Sequence, residues 1–158
     1  KLALNPSLDQ LSLPDVKEII KSADILILND DEASQLTGIK PYQENKILKA
    51  LCTKPGLTQL TQGQIIVITK GKQGALALEG KFVYQVPAPR VKVVDATGAG
   101  DSFGAGLVAG IIRGKSLEES LRLAMANAIS NIQVFGANQG LLGKNDIIPE
   151  IKIRRRIL

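Results

Sequence analysis

Short, unbroken apolar runs alternating with helix-period segments constrain this chain more than any other feature. Ile25 to Leu28 is apolar without interruption, and Ile65 to Thr69 repeats the pattern. A strand with no polar alternation has to be covered on both faces, as in a parallel sheet between layers of helices. Leu2 to Asn5, stopped by Pro6, reads as a further strand, and Asp15 to Lys21 carries apolar residues at helical spacing. Asn29 and Asp30 end the strand that starts at Ile25, Glu32 to Leu36 start a short helix, and Gly38 stops it. A second helix is expected from about Tyr42 to Leu51, then a polar connection around Pro55 to Gly63. Ala75 to Glu79 and Lys81 to Val86 flank Gly80 as a hairpin at a sheet edge, closed by Pro87 and Pro89. Val91 to Val94 reads as a strand entering a glycine-rich segment, and Ser102 to Ile112 as a buried helix ended by Gly114. Ser116 with Glu119 makes a capping box for a helix from Leu117 to about Val134. The expectation is a layered α-β-α fold with a mostly parallel sheet and an antiparallel edge hairpin, in one α/β unit.

The chemistry available is narrow. Histidine is absent and Cys52 is the single cysteine, which excludes an imidazole triad, a His/Cys zinc site and an internal disulfide. Carboxylates, amides, hydroxyls and backbone groups remain. The 158 residues are 44% apolar, enough for a sizeable core. No apolar run is long enough to span a bilayer and no leader pattern opens the chain, so a soluble, cytoplasmic protein without a membrane partner is expected. Much of the net charge of +5 sits in Lys152, Arg154, Arg155 and Arg156, read as a solvated tail. Aromatics are only 3% and no basic stretch interleaves them, so no nucleic-acid partner is expected. The chain starts at Lys1 inside an apolar segment, which reads as a piece of a longer protein.

Asp95-Ala96-Thr97-Gly98-Ala99-Gly100-Asp101 joins the expected strand to the expected helix. The first turn of a helix offers unpaired N–H groups and the positive end of the macrodipole, so Gly98 to Asp101 can hold a phosphoryl group. Asp101 lies in that turn, where a carboxylate can take the proton of an attacking hydroxyl. Spacing alone is equally compatible with a glycine-rich turn and an ordinary first-turn carboxylate. There is no P-loop run, and Gly98-Ala99-Gly100 lacks the third glycine of the dinucleotide fingerprint.

Val94-Asp95-Ala96-Thr97-Gly98-Ala99-Gly100-Asp101-Ser102-Phe103 resembles the C-terminal signature of ribokinase-like (PfkB-type) carbohydrate kinases. Asn29-Asp30-Asp31-Glu32 is similar to that family's Asn-x-x-Glu element, and Thr69-Lys70-Gly71-Lys72-Gln73-Gly74 to its Thr-x-Gly-x-x-Gly nucleotide loop, in the same order. The resemblance implies a ribokinase-like fold over residues 1–158, as the C-terminal part of a kinase whose sugar-binding part and lid are not in this chain. It implies a sugar kinase transferring the γ-phosphate of ATP to a carbohydrate hydroxyl, with Mg²⁺ as cofactor. A nucleoside or other small alcohol as acceptor, or a non-catalytic nucleotide-binding module, are the alternatives. By resemblance Asp101 is the base, and Gly98, Ala99 and Gly100 form the anion hole. Asn29, Thr69, Gly71, Gly74 and Asn127 bind nucleotide, and Glu32 orders water around Mg²⁺. Asn127 reads equally as a helix-packing residue. The resemblance further implies a monovalent cation, K⁺, held by Asp95 and Thr97 with carbonyls near Val134 and Gly136. Gly140 stands where some members carry serine, and turn-stabilising roles for Asp95 and Thr97 are the alternative. A homodimer is expected of the full-length protein.

Overall fold

The computed structural model of the chain describes residues 1–53 and 63–158. The polar connection expected around Pro55 to Gly63 therefore lies, up to residue 62, outside the described residues.

The chain divides into two compact units. The first is Lys1–Lys70 with Ala75–Tyr84 and Arg155–Leu158, and the second is Gly71–Gly74 with Gln85–Arg154. Within the first, strands β1 (Ala3–Leu4), β2 (Ile25–Asn29) and β3 (Ile65–Thr69) are parallel, and β4 (Ala75–Glu79) turns back antiparallel to β3. With β5 (Phe82–Val86) and β6 (Arg154–Ile157) the sheet runs in the order β1-β2-β3-β4-β5-β6. Register pairs Asn29 with Thr69 at the carboxyl ends of β2 and β3.

The unbroken apolar runs are buried on both faces, as their composition requires. On one face Leu26, Leu28, Ile66, Ile68, Leu76 and Leu78 join a single core with residues of α1 (Leu8–Leu11), α2 (Val16–Ser22), α3 (Asp30–Thr37) and α4 (Glu44–Thr53). On the other face Ile25, Ile27, Ile65 and Val67 are also buried. Burying each such side chain is worth about 1.5–3 kcal/mol, which outweighs the modest β-propensity differences among them.

Two readings of the sequence change. The basic segment taken for a solvated tail is β6, the outermost strand. Its residues are exposed, yet the Arg155 guanidinium lies 4.7 Å over the Phe82 ring, Arg156 donates to Asn45 (2.6 Å), and Leu158 N–H donates to the Lys81 carbonyl (3.0 Å). The β4–β5 hairpin is therefore one strand in from the edge, and the arginines guard that edge against pairing with another chain. Val91 to Val94 forms no strand. The N–H groups of Val94 and Asp95 both point at the Ile132 carbonyl (2.8 and 3.3 Å), so this segment is pinned to a helix end instead of to a ladder.

The second unit is built on α5 (Ala99–Ile112) and α6 (Leu117–Ile132). They approach closely through small residues: a Cβ on Gly106 would stand 2.8 Å from Ala124 Cα, and one on Gly110 would stand 2.6 Å from Ser120 Oγ. Among the described residues no helix is long and apolar enough to cross a membrane.

The predicted capping box starts α6. Glu119 N–H donates to Ser116 Oγ (3.3 Å), while the Glu119 carboxylate accepts from Ser116 N–H (3.0 Å) and Oγ (2.7 Å). The Ser116 hydroxyl and N–H hold the Glu119 carboxyl below its ordinary value. The stabilisation is thus complete at neutral pH and fades as pH falls through that lowered value. Ser116→Ala is expected to cost about 1 kcal/mol at neutral pH in a denaturant titration, with a smaller difference in acid.

Candidate active site

The predicted residues fall into two groups, one in each unit. In the first unit the register of β2 and β3 sets Asn29 beside Thr69. Asn29 and Glu32 form a reciprocal capping box at the start of α3: Glu32 N–H donates to Asn29 Oδ1 (2.8 Å) and Asn29 N–H donates to Glu32 Oε2 (2.7 Å). The pair is consequently rigid, and Glu32 is buried, 9% exposed. Its other oxygen, Oε1, has no protein partner among the described residues and is free to accept from water. The Thr69 hydroxyl donates to the Leu28 carbonyl (3.4 Å), a long bond that leaves its lone pairs available. Burial pushes the neighbouring Asp30 carboxyl up, against the opposing pull of Lys70, whose ammonium pairs with Glu44.

In the second unit the glycine-rich segment opens α5 with geometry set by Gly98. This residue has φ +81°, a left-handed conformation that L side chains rarely adopt, and a Cβ on it would lie 2.1 Å from the Ala137 carbonyl oxygen. Only glycine meets both conditions. Ala99 N–H is used in the turn, donating to the Ala96 carbonyl (3.3 Å), and Ser102 N–H donates to the Gly98 carbonyl (2.8 Å). No side chain caps the helix, so the N–H groups of Gly100 and Asp101 have no acceptor among the described residues. The positive end of a 14-residue helix is therefore open to an anion. Asp101 lies in the same turn, exposed, and its carboxylate has no hydrogen-bond or ion-pair partner among the described residues.

Asp95 ties the segment to the loop after α6. Its Oδ1 accepts Thr97 N–H (2.9 Å) and its Oδ2 accepts Gly136 N–H (3.1 Å). The Thr97 backbone N–H, then the Thr97 hydroxyl and Gly136 N–H, hold the Asp95 carboxyl below the usual carboxylate range. This tie persists through neutral pH and loosens only as pH falls through the lowered value. Val134 is exposed on the same loop, its N–H donating to the Asn131 carbonyl (3.2 Å). Asn127 is buried in α6 with its amide fully engaged: Nδ2 donates to the Ser102 carbonyl and Oδ1 accepts Leu142 N–H, both at 2.8 Å. It staples α5 to the segment at Leu142. Gly71 and Gly74 bound a single 3₁₀ turn, closed by Gly74 N–H on the Gly71 carbonyl (2.9 Å), and a Cβ on Gly74 would strike the Val86 carbonyl at 2.0 Å.

Sequence reasoning missed Asn131. It lies one turn beyond Asn127, fully buried, and its Nδ2 faces the carbonyls of Gly136, Ala137 and Gln139 at 3.3, 3.1 and 2.9 Å. The signal was present as a polar residue on the apolar stripe of α6, where burial demands a partner.

Comparison with known proteins places this geometry. A family model described as pfkB family carbohydrate kinase matches residues 2–142. The ribokinase of Arabidopsis thaliana is 35% identical over 145 residues, covering 90% of this chain and 37% of that protein. Its structure, solved with ribose and ATP, aligns with a TM-score of 0.69 at 33% identity over 79% of this chain and 39% of that one. A cytidine kinase of Thermococcus kodakarensis is 33% identical over 77% of this chain and 41% of its own length. Phosphofructokinase-2 of Escherichia coli, solved with potassium, aligns with a TM-score of 0.68 at 25% identity over 87% of this chain and 42% of that one. The chain spans less than half the length of each of these relatives. The fold is ribokinase-like, as the resemblance implied. The chain belongs to the pfkB family of carbohydrate kinases.

Proposed function

We propose that this chain is the nucleotide-binding, base-bearing part of an ATP-dependent kinase that phosphorylates a hydroxyl of a carbohydrate. One observation carries the reading: an unpartnered carboxylate, Asp101, shares the first turn of α5 with unpaired N–H groups at Gly100 and Asp101. Those N–H groups and the helix dipole stabilise charge on the transferred phosphoryl group. Asp101 accepts the proton of the acceptor hydroxyl as its oxygen bonds to the γ-phosphorus, while the bond from that phosphorus to the β–γ bridging oxygen breaks and ADP leaves. Asn29, Thr69, Gly71 and Gly74 are assigned to the nucleotide. Asn127 acts on it only indirectly, because both ends of its amide are engaged with Ser102 and Leu142.

Mg²⁺ would supply charge neutralisation for the nucleotide phosphates, with Glu32 holding it through water. The residues present fit it as an outer partner: Glu32 has one carboxylate oxygen locked on Asn29 N–H and the other free for a water of hydration. Of the groups implied for a monovalent cation of the kind bound by the Escherichia coli relative, Asp95 accepts Gly136 N–H and the Gly136 carbonyl faces Asn131.

The Arabidopsis relative supports a sugar as acceptor and the Thermococcus relative a nucleoside. Because the chain spans 37% of the former, a second reading has it binding nucleotide without transferring phosphate on its own. The test is transfer of labelled γ-phosphate by the complete protein to a panel of pentoses, hexoses and nucleosides. Label on an acceptor hydroxyl is the expected result, and hydrolysis to free phosphate with every acceptor would refute the kinase reading.

A further inference from the structure

Three backbone carbonyls of the loop after α6 converge on one side-chain nitrogen, Nδ2 of Asn131, at 2.9–3.3 Å. Asn131 is completely buried, and its Oδ1 has no partner among the described residues. The carbonyls alone therefore fix the amide's orientation, because the reversed amide would set its oxygen against three carbonyl oxygens.

Converging carbonyls are how a protein replaces the hydration shell of a monovalent cation. Here the focus is filled by an NH₂ group whose partial positive charge serves the same dipoles. Two of the other groups implied for a cation also have partners. Each Asp95 oxygen accepts a backbone N–H, and the Gly136 carbonyl faces Asn131. At Gly140, φ is +66° and a Cβ would lie 2.7 Å from both the Ser130 carbonyl oxygen and Val134 Cγ2, so no hydroxyl-bearing side chain can stand there. The carbonyl focus is thus occupied by the Asn131 amide, and position 140 offers no side-chain ligand.

We propose that the Asn131 amide takes the place of the monovalent cation in this protein. It gathers the Gly136 to Gln139 loop from within, and that loop supports the anion hole at two points. Gly136 N–H is held by Asp95, and the Ala137 carbonyl lies against Gly98 at the start of α5. Asn131 is thus a positioning residue, and the site assembles without K⁺. The inference rests on the kinase reading for its activity readout, but not for its stability readout.

The complete protein is compared in KCl, NaCl and tetramethylammonium chloride at equal ionic strength, by thermal unfolding and by phosphoryl transfer. A specific effector typically changes the affinity for a second ligand about 5–150-fold, and that lower bound is taken as the limit for a salt-specific effect. The expected result is turnover that varies by less than about 5-fold and a Tm that moves by less than about 2 °C among the three salts. A K⁺-dependent rise beyond either limit overturns the proposal. Asn131→Asp sets a carboxylate among the three carbonyls. It is expected to unfold earlier in tetramethylammonium and to gain Tm on adding K⁺ or Na⁺, because a ligand that binds only the folded state stabilises it. A folded Asn131→Asp protein indifferent to all three salts contradicts the claimed convergence. Should that variant not fold in any salt, the wild-type comparison still decides. Absence of transfer in every salt refutes the kinase reading while the Tm comparison still judges the role of Asn131.

Discussion

Asp101→Asn in the complete protein is expected to lower turnover by about 10²–10⁴-fold, the typical contribution of a positioned general base. The amide keeps the size and place of the carboxylate but cannot accept the proton of the attacking hydroxyl. The effect should be confined to the chemical step. Asp101 has no partner among the described residues, so its replacement breaks no hydrogen bond or ion pair. The unpaired Gly100 and Asp101 N–H groups, proposed to meet the phosphate, remain. Stability and nucleotide affinity are therefore expected to stay near wild type. Single-turnover kinetics separates these quantities, and a rise in KM with kcat unchanged would assign Asp101 to binding instead of to proton transfer.

Gly98→Ala carries the second large effect, and here stability and activity fall together. Alanine at φ +81° costs about 1–2 kcal/mol, and a Cβ placed 2.1 Å from the Ala137 carbonyl oxygen adds about 1–3 kcal/mol of overpacking. The neighbouring atom is backbone, so the strain is relieved only by moving the Ala137 loop or the start of α5. A shift of about 1 Å in a positioning element costs about 100-fold in rate. Gly100→Ala is the control for stability. Its backbone is outside the left-handed region and a Cβ there meets nothing within 4 Å, so the folded state should be unchanged or slightly firmer. Denaturant midpoints of the two variants, measured side by side, check the contrast.

What was legible in the sequence follows from how locally each feature is determined. The runs at Ile25 and Ile65, the capping boxes at Asn29 and Ser116, and the hairpin about Gly80 are set by residues a few positions apart, and each is present. The start of α5 was legible because a glycine-rich segment leads into the small and apolar run from Ser102 to Ile112, and the helix begins within it at Ala99. The segment from Val91 to Val94 was misread because β-branched residues favour a strand, whereas the hydrogen bonds go to Ile132, distant in sequence. β6 was misread for the opposite reason: Arg154, Arg155 and Arg156 carry no apolar alternation, and what holds the segment is the Phe82 ring, Asn45 and the Lys81 carbonyl. Asn131 stood out only as a polar residue on the apolar stripe of α6, because the carbonyls that it meets leave no side-chain pattern.

The central claim is that the N-terminus of α5 holds the phosphates of a nucleotide. Calorimetric titration of Mg-ATP, which carries the γ-phosphate, into this chain tests it most directly, because it needs neither an acceptor nor turnover. The account predicts a saturable heat at up to millimolar nucleotide, equivalent to about 4 kcal/mol or more of binding free energy, that Gly98→Ala abolishes and Asp101→Asn retains. A folded wild-type chain that shows no saturable heat, or binding that Gly98→Ala leaves untouched, would contradict it.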